Sequence, residues 1–121
     1  MHWKISLHGG HSQEFCEHAE SPLRAMLDAA VQAGYGVFGV TEHMPRLKPE
    51  YLYAGEIEKG WSVETLKERF DAYARTIRTL AQEYEGRLTV LCGFETEVVP
   101  PASYAQWVAH YRQQYGFDYC V

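Results

Sequence analysis

The chain has 121 residues, 46% of them hydrophobic and 22% charged, with a formal net charge of -5. This is the balance of one folded unit long enough to bury a core, and it excludes a disordered or fibrous chain. The basic residues are dispersed, which argues against nucleic acid or an anionic membrane as partner. Cys16, Cys92 and Cys120 are odd in number and far apart, no signal peptide precedes Ile5, and no apolar run approaches the roughly 20 residues of a membrane span, so a reduced, cytoplasmic protein is expected.

Short apolar runs alternate with segments of helical period, the pattern of βα units carrying a parallel sheet. The first run is His2 to His8. In "ESPLRAMLDAAVQAGYG", Ser21 reads as the N-cap and Pro22 as the first helical residue. Leu23, Met26, Leu27, Ala30 and Val31 share one face, and Gly34 is the terminator. "YGVFGVTEH" follows as a buried strand. In "SVETLKERFDAYARTIRTLAQEYEG", Val63, Leu66, Phe70, Tyr73, Ile77, Leu80 and Tyr84 recur every three or four residues, which predicts a longer helix ending at Gly86. "RLTVLCGFETE" reads as the next strand. A third helix is expected after Pro100 and Pro101, through Trp107, Val108 and Tyr111, and "GFDYCV" begins another strand.

On this pattern the metal-capable residues fall in one place. The first strand runs out into His8 and His11, the second ends at Glu42 and His43, and the third at Glu95 and Glu97. The C-terminal strand ends of parallel α/β folds are where sites are built, and successive strands lie side by side. Imidazole nitrogen with carboxylate oxygen suits zinc, manganese or iron. Each residue also has a plainer reading. A lone His at a strand end is commonly a surface or capping group, and the glycines beside His8 also allow a simple turn. Cys16 reads as a small buried thiol rather than a ligand. Glu42 and Glu97 read equally as groups that orient ligands and as solvated charge, and Asp118 as a structural hydrogen-bonding group.

"HSQEFCEHA", "GVTEHMPR" and "GFETEV", in this order with helices between, resemble the polymerase and histidinol phosphatase (PHP) superfamily, and its histidinol-phosphatase branch in particular. The resemblance implies an α/β fold, residues 1–121 being the N-terminal half of a distorted, TIM-like β/α barrel. It also implies a cluster of up to three divalent metals (Zn, Mn or Fe) and hydrolysis of L-histidinol phosphate in histidine biosynthesis by metal-activated water. Carried over by position, His11 would bind the first metal, Glu95 would bridge the first and second, and His18 and His43 would bind the third. The family's first His falls on Gly9, so either His8 reaches the site on a backbone made pliable by Gly9 and Gly10, the favoured expectation, or the first metal loses a ligand.

A complete barrel takes about 250 residues, and the family's later ligands, two His and an Asp-x-His, have no counterpart here. The chain is therefore expected to be the N-terminal part of a longer enzyme, or to need a second chain. The other readings are a metal-dependent phosphoesterase acting on another substrate, such as a nucleotide or a nucleic-acid end, against which the acidic balance counts, and a non-catalytic fragment or interaction module. Residues 44–61 read as a long loop, a candidate lid, in which Arg46 is the candidate phosphate ligand and Tyr51, Tyr53 or Trp61 could stack on imidazole. A surface salt bridge is the competing role for Arg46.

Overall fold

The structure is a computed structural model and describes residues 4–13, 15, 16, 19 and 21–121. Four parallel strands lie in sequence order: β1 (Lys4–Ser6), β2 (Tyr35–His43), β3 (Thr89–Glu95) and β4 (Tyr119–Cys120). Between them come α1 (Leu23–Gln32), a short α2 (Ala54–Glu58), α3 (Val63–Glu83) and α4 (Tyr104–Tyr115). The sheet is the α/β half-barrel expected.

Two local expectations are corrected. Pro22, rather than Ser21, is the residue flanking α1; its ψ of 150 is extended, so the helix starts at Leu23. The 44–61 stretch is not structureless: it contains a 3-10 turn at Pro49–Tyr51 and the five-residue α2, whose Glu56 is buried. The helix after the two prolines is consequently the fourth. Of the first predicted strand, His2 to His8, residues 1–3 lie outside the described residues, and β1 ends at Ser6, so that Leu7 and His8 already belong to the following loop.

The expected face of α3 is the buried one: Val63, Leu66, Phe70, Tyr73, Ile77 and Leu80 are all buried, as is Tyr84 just beyond. Ser62 Oγ accepts from Thr65 N–H (3.1 Å) while Thr65 Oγ1 accepts from Ser62 N–H (3.2 Å), a reciprocal cap that satisfies two otherwise orphaned donors. The Tyr73 hydroxyl sits between the carbonyls of Gly93 (2.6 Å) and Val40 (2.9 Å) and pins the helix to β2 and β3. Phe70 is the aromatic hub, with the rings of Phe94, Tyr111 and Phe117 at 5.9, 5.0 and 5.4 Å between centroids. Leu23 and Leu27 of α1 and Tyr111 of α4 share a core with Val40, Val90, Cys92 and Phe94, so the helices cover one face of the sheet.

The opposite face is built around small residues. Tyr119 on β4 reaches across the sheet and donates its hydroxyl to the Leu7 carbonyl (2.5 Å), beyond β1. That path exists because positions 39 and 93 are glycine; a Cβ at 93 would stand 2.7 Å from the Tyr119 ring, and one at 39 would strike the phenol oxygen. Asp118 has the structural role read for it, accepting the Cys92 N–H (2.7 Å).

Candidate functional site

Strand register sets the site. β2 and β3 pair from Val37↔Thr89 to His43↔Glu95, so His43 and Glu95 end neighbouring strands side by side and on the same face. The loop after β1 is tied to β2 by Gly9 N–H to Gly39 O (2.8 Å). Both Ser12 N–H and Ser12 Oγ–H, the latter at 3.0 Å, donate to Glu42 Oε1. These bonds carry His8 and His11 over the strand ends.

Three imidazoles converge on one carboxylate. Glu95 Oε2 lies 3.2 Å from His11 Nε2 and 3.2 Å from His43 Nδ1, and Glu95 Oε1 lies 3.4 Å from His8 Nε2. The His11 and His43 rings stack with centroids 3.9 Å apart, and His11 Nδ1 is 3.5 Å from Glu42 Oε2. Position 9 cannot take part as the backbone stands, since a Cβ there would meet Gly39 O and the Phe38 ring at 2.5 Å. His8, with 57% of its side chain exposed, is the residue that reaches Glu95. His18 lies outside the described residues. Cys16 is buried, and its sulfur, with one nitrogen each of His11 and His43, falls within a 4.8 Å group, closer to the site than the plain buried-thiol reading implied.

The electrostatics are those of a carboxylate-rich centre. Burial pushes the His11 imidazolium down, but contact with Glu42 and the charges of Glu42, Glu95 and Glu97 outweigh it and hold its pKa above 6.5. Burial pushes the Glu97 carboxyl up, and His43, Tyr53 and Arg46 together reverse this, leaving it below its ordinary value. Glu42 Oε2 and Glu95 Oε2 are buried oxygens that face imidazole nitrogens at 3.5 and 3.2 Å without a well-formed hydrogen bond among the described residues. Buried anionic oxygens in that condition are costly unless a cation meets them, and beside imidazole nitrogen they form a donor set suited to a divalent ion.

The 44–61 segment packs against this centre. Arg46, 4% exposed, pairs with Glu56, donates to Met44 O (3.1 Å), and stands 3.8 Å from Glu97 and 4.2 Å from the Tyr53 ring centroid. Tyr53 donates its hydroxyl to Glu97 Oε1 (2.6 Å), which is 3.0 Å from His43 Nδ1. Of the three aromatic candidates in this segment, Tyr53 has its ring 5.6 Å from that of His43. Behind the cluster, Cys16, Glu42, His43, Arg46 and Tyr53 line a cavity of about 20 Å³. It has room for one water-sized body.

Sequence reasoning missed Glu56, which in "AGEIEK" looks like a solvated charge. The available signal was spacing: Glu56 follows Tyr53 by three and accepts its N–H (2.8 Å), as a capping box requires.

A parallel α/β half-barrel that gathers imidazoles and carboxylates at the C-terminal ends of its strands defines the class of barrel proteins with a polar, metal-suited centre at that edge. The chain belongs to the PHP domain family, whose model matches residues 7–121. It is 37% identical over 117 residues to the "Probable histidinol-phosphatase" of Schizosaccharomyces pombe, covering 97% of this chain and 37% of that protein. It is 26% identical over 80 residues to the histidinol-phosphatase of Saccharomyces cerevisiae, covering 66% of this chain and 24% of that one. A crystal structure of a Listeria monocytogenes protein, described as a candidate histidinol phosphatase, superposes with a TM-score of 0.74 at 19% identity and covers 97% of this chain and 43% of that one. The chain thus spans well under half the length of these relatives.

Proposed function

We propose that this chain contributes the first part of the metal centre of a phosphomonoesterase that hydrolyses L-histidinol phosphate to L-histidinol and phosphate in histidine biosynthesis. The carrying observation is the convergence of His8, His11 and His43 on Glu95, each within 3.4 Å. The 37% identity to the S. pombe relative supports the substrate. His8, His11, His43 and Glu95, with His18, would hold the metals, Glu95 being the carboxylate they would share. A divalent ion supplies charge neutralisation for the phosphoryl group and a more acidic water; zinc, manganese and iron all suit these donors.

The remaining steps belong to the chain's own groups. Glu42 holds His11 at the ring nitrogen opposite Glu95, Glu97 meets His43 at the Nδ1 that also faces Glu95, and His8 stands at the open rim. Arg46 enters through the segment it fastens; for it to contact phosphate directly, Glu56 would have to release the guanidinium. β1 and β4 are the edges of the described sheet, and Ile5, Leu7 and Val121 are exposed beside them. Unpaired edges favour a further barrel segment or a second chain as partner. No helix among the described residues is long and apolar enough to cross a membrane, which suits the cytoplasmic setting we propose.

The test is to co-express the chain with the later portion of its S. pombe relative and measure phosphate release from histidinol phosphate and from a panel of other phosphomonoesters, with and without chelator. Metal-dependent release selective for histidinol phosphate supports the reading. Equal release across the panel would make it a phosphoesterase of another substrate, and none at all would favour a non-catalytic fragment.

A further inference from the structure

We propose that Tyr53 is a positioning residue that acts through Glu97 on His43, and that the buried Glu56 is the anchor that fixes Tyr53. The inference rests on the metal-centre reading above and extends it to residues 44–61. Glu56 is 2% exposed although it lies on a five-residue helix at the molecular periphery. A carboxylate buried there is costly unless both oxygens are used, and both are. Oε1 accepts the Tyr53 N–H at 2.8 Å, and Oε2 takes Arg46, which also holds the Met44 carbonyl. The backbone of Tyr53 is thereby tied to the residue that directly follows β2.

The side chain of Tyr53 is as closely confined. The Arg46 guanidinium lies 4.2 Å from its ring centroid, and the edge of the ring meets the His43 ring, at 80° between planes. Its hydroxyl donates to Glu97 Oε1, the same oxygen that stands 3.0 Å from His43 Nδ1. Glu97 follows the end of β3 by two residues and has no strand pairing of its own to hold it. Tyr53, with Arg46 3.8 Å from the same oxygen, therefore sets where Glu97 Oε1 sits, and that oxygen shares His43 Nδ1 with Glu95 Oε2, so its position bears on the tilt of the His43 ring. The segment is a fastened strap with a defined partner, in place of the mobile lid that its length alone suggested. Partners that orient ligands from behind are worth about 10- to 100-fold in metal affinity.

The experiment is calorimetric titration of zinc into the metal-free 121-residue chain and its Tyr53→Phe, Glu97→Gln and doubly substituted variants, with the thermal midpoint of each recorded. The expected result is that Tyr53→Phe weakens zinc about tenfold with little change in midpoint, and that the double variant binds no more weakly than Glu97→Gln alone, because the tyrosine acts only through the carboxylate. Trypsin should also cut after Lys59 faster in Glu56→Gln, whose strap has lost its anchor. Unchanged affinity in Tyr53→Phe, or additive losses in the double variant, would overturn the proposal and leave the metal centre standing. A wild-type chain that binds no zinc would bring down the metal-centre reading itself, and the proposal with it.

Discussion

His43 and Glu95 are register partners at the ends of β2 and β3, and their side chains meet with Nδ1 3.2 Å from Oε2. Because the same Glu95 oxygen also lies 3.2 Å from His11 Nε2, one carboxylate joins the β1 loop to both strands. Glu95→Gln keeps the shape of the side chain and removes its charge. Zinc binding by the chain is expected to be lost while the circular dichroism spectrum and the thermal midpoint stay near wild type, since Glu95 lies at a strand end outside the apolar core. Retained zinc affinity would remove Glu95 from the centre.

The Gly39, Gly93 and Tyr119 arrangement predicts a coupled pair. Gly39→Ala places a methyl group against the phenol oxygen of Tyr119 and is expected to cost about 1–3 kcal/mol, the usual penalty of overpacking. Adding Tyr119→Ala removes the obstacle, so the double variant should be more stable than the sum of the single changes requires. Urea denaturation of the four proteins measures the coupling, and strictly additive losses would contradict the contact.

Phe70 touches aromatic rings from β3, α4 and the segment leading to β4. Phe70→Ala is expected to cost about 3–5 kcal/mol, the range for a buried aromatic. Small domains have about 5–15 kcal/mol in all, so the urea midpoint should fall steeply and the population of unfolded chain should become measurable at 37 °C. Phe70→Leu, which keeps most of the volume, should recover a large part of the loss.

The cysteines should differ in reactivity. Burial, with the charge of Asp118 adding and Arg78 opposing, pushes the Cys92 thiol up to about 11. At pH 8 roughly a thousandth of it is thiolate, and the thiolate is the reactive form; the group is also 1% exposed. Raising the pH toward 11 should therefore accelerate alkylation of Cys92 only as far as its burial allows, whereas denaturant should release it fully. Mass-spectrometric mapping should show Cys120, half-buried on the edge strand β4, modified first and Cys92 last. Equal rates for the two in the folded chain would argue against the core placement of Cys92.

The sequence by itself determined the principal elements. The three- and four-residue spacing from Val63 to Tyr84 set the buried face of α3, and the apolar runs set β2 and β3, because periodicity is a local property that burial on one side imposes directly. The placing of His43 and Glu95 at neighbouring strand ends was legible for a similar reason, since a parallel sheet brings those ends to one edge whatever the details, and His11 reaches them from the loop after β1. Only the tertiary structure decided which partners meet. Glu56 reads as a surface charge in sequence and becomes the buried anchor of Arg46 and Tyr53, a pairing set by how the chain folds back after His43. Position 9 is closed to any side chain by Phe38 and Gly39, residues about thirty positions away, so His8 rather than its neighbour faces Glu95. Such outcomes depend on close approach between segments distant in sequence, where a shift of an ångström changes a contact into a clash, and no local pattern of residue types carries that information.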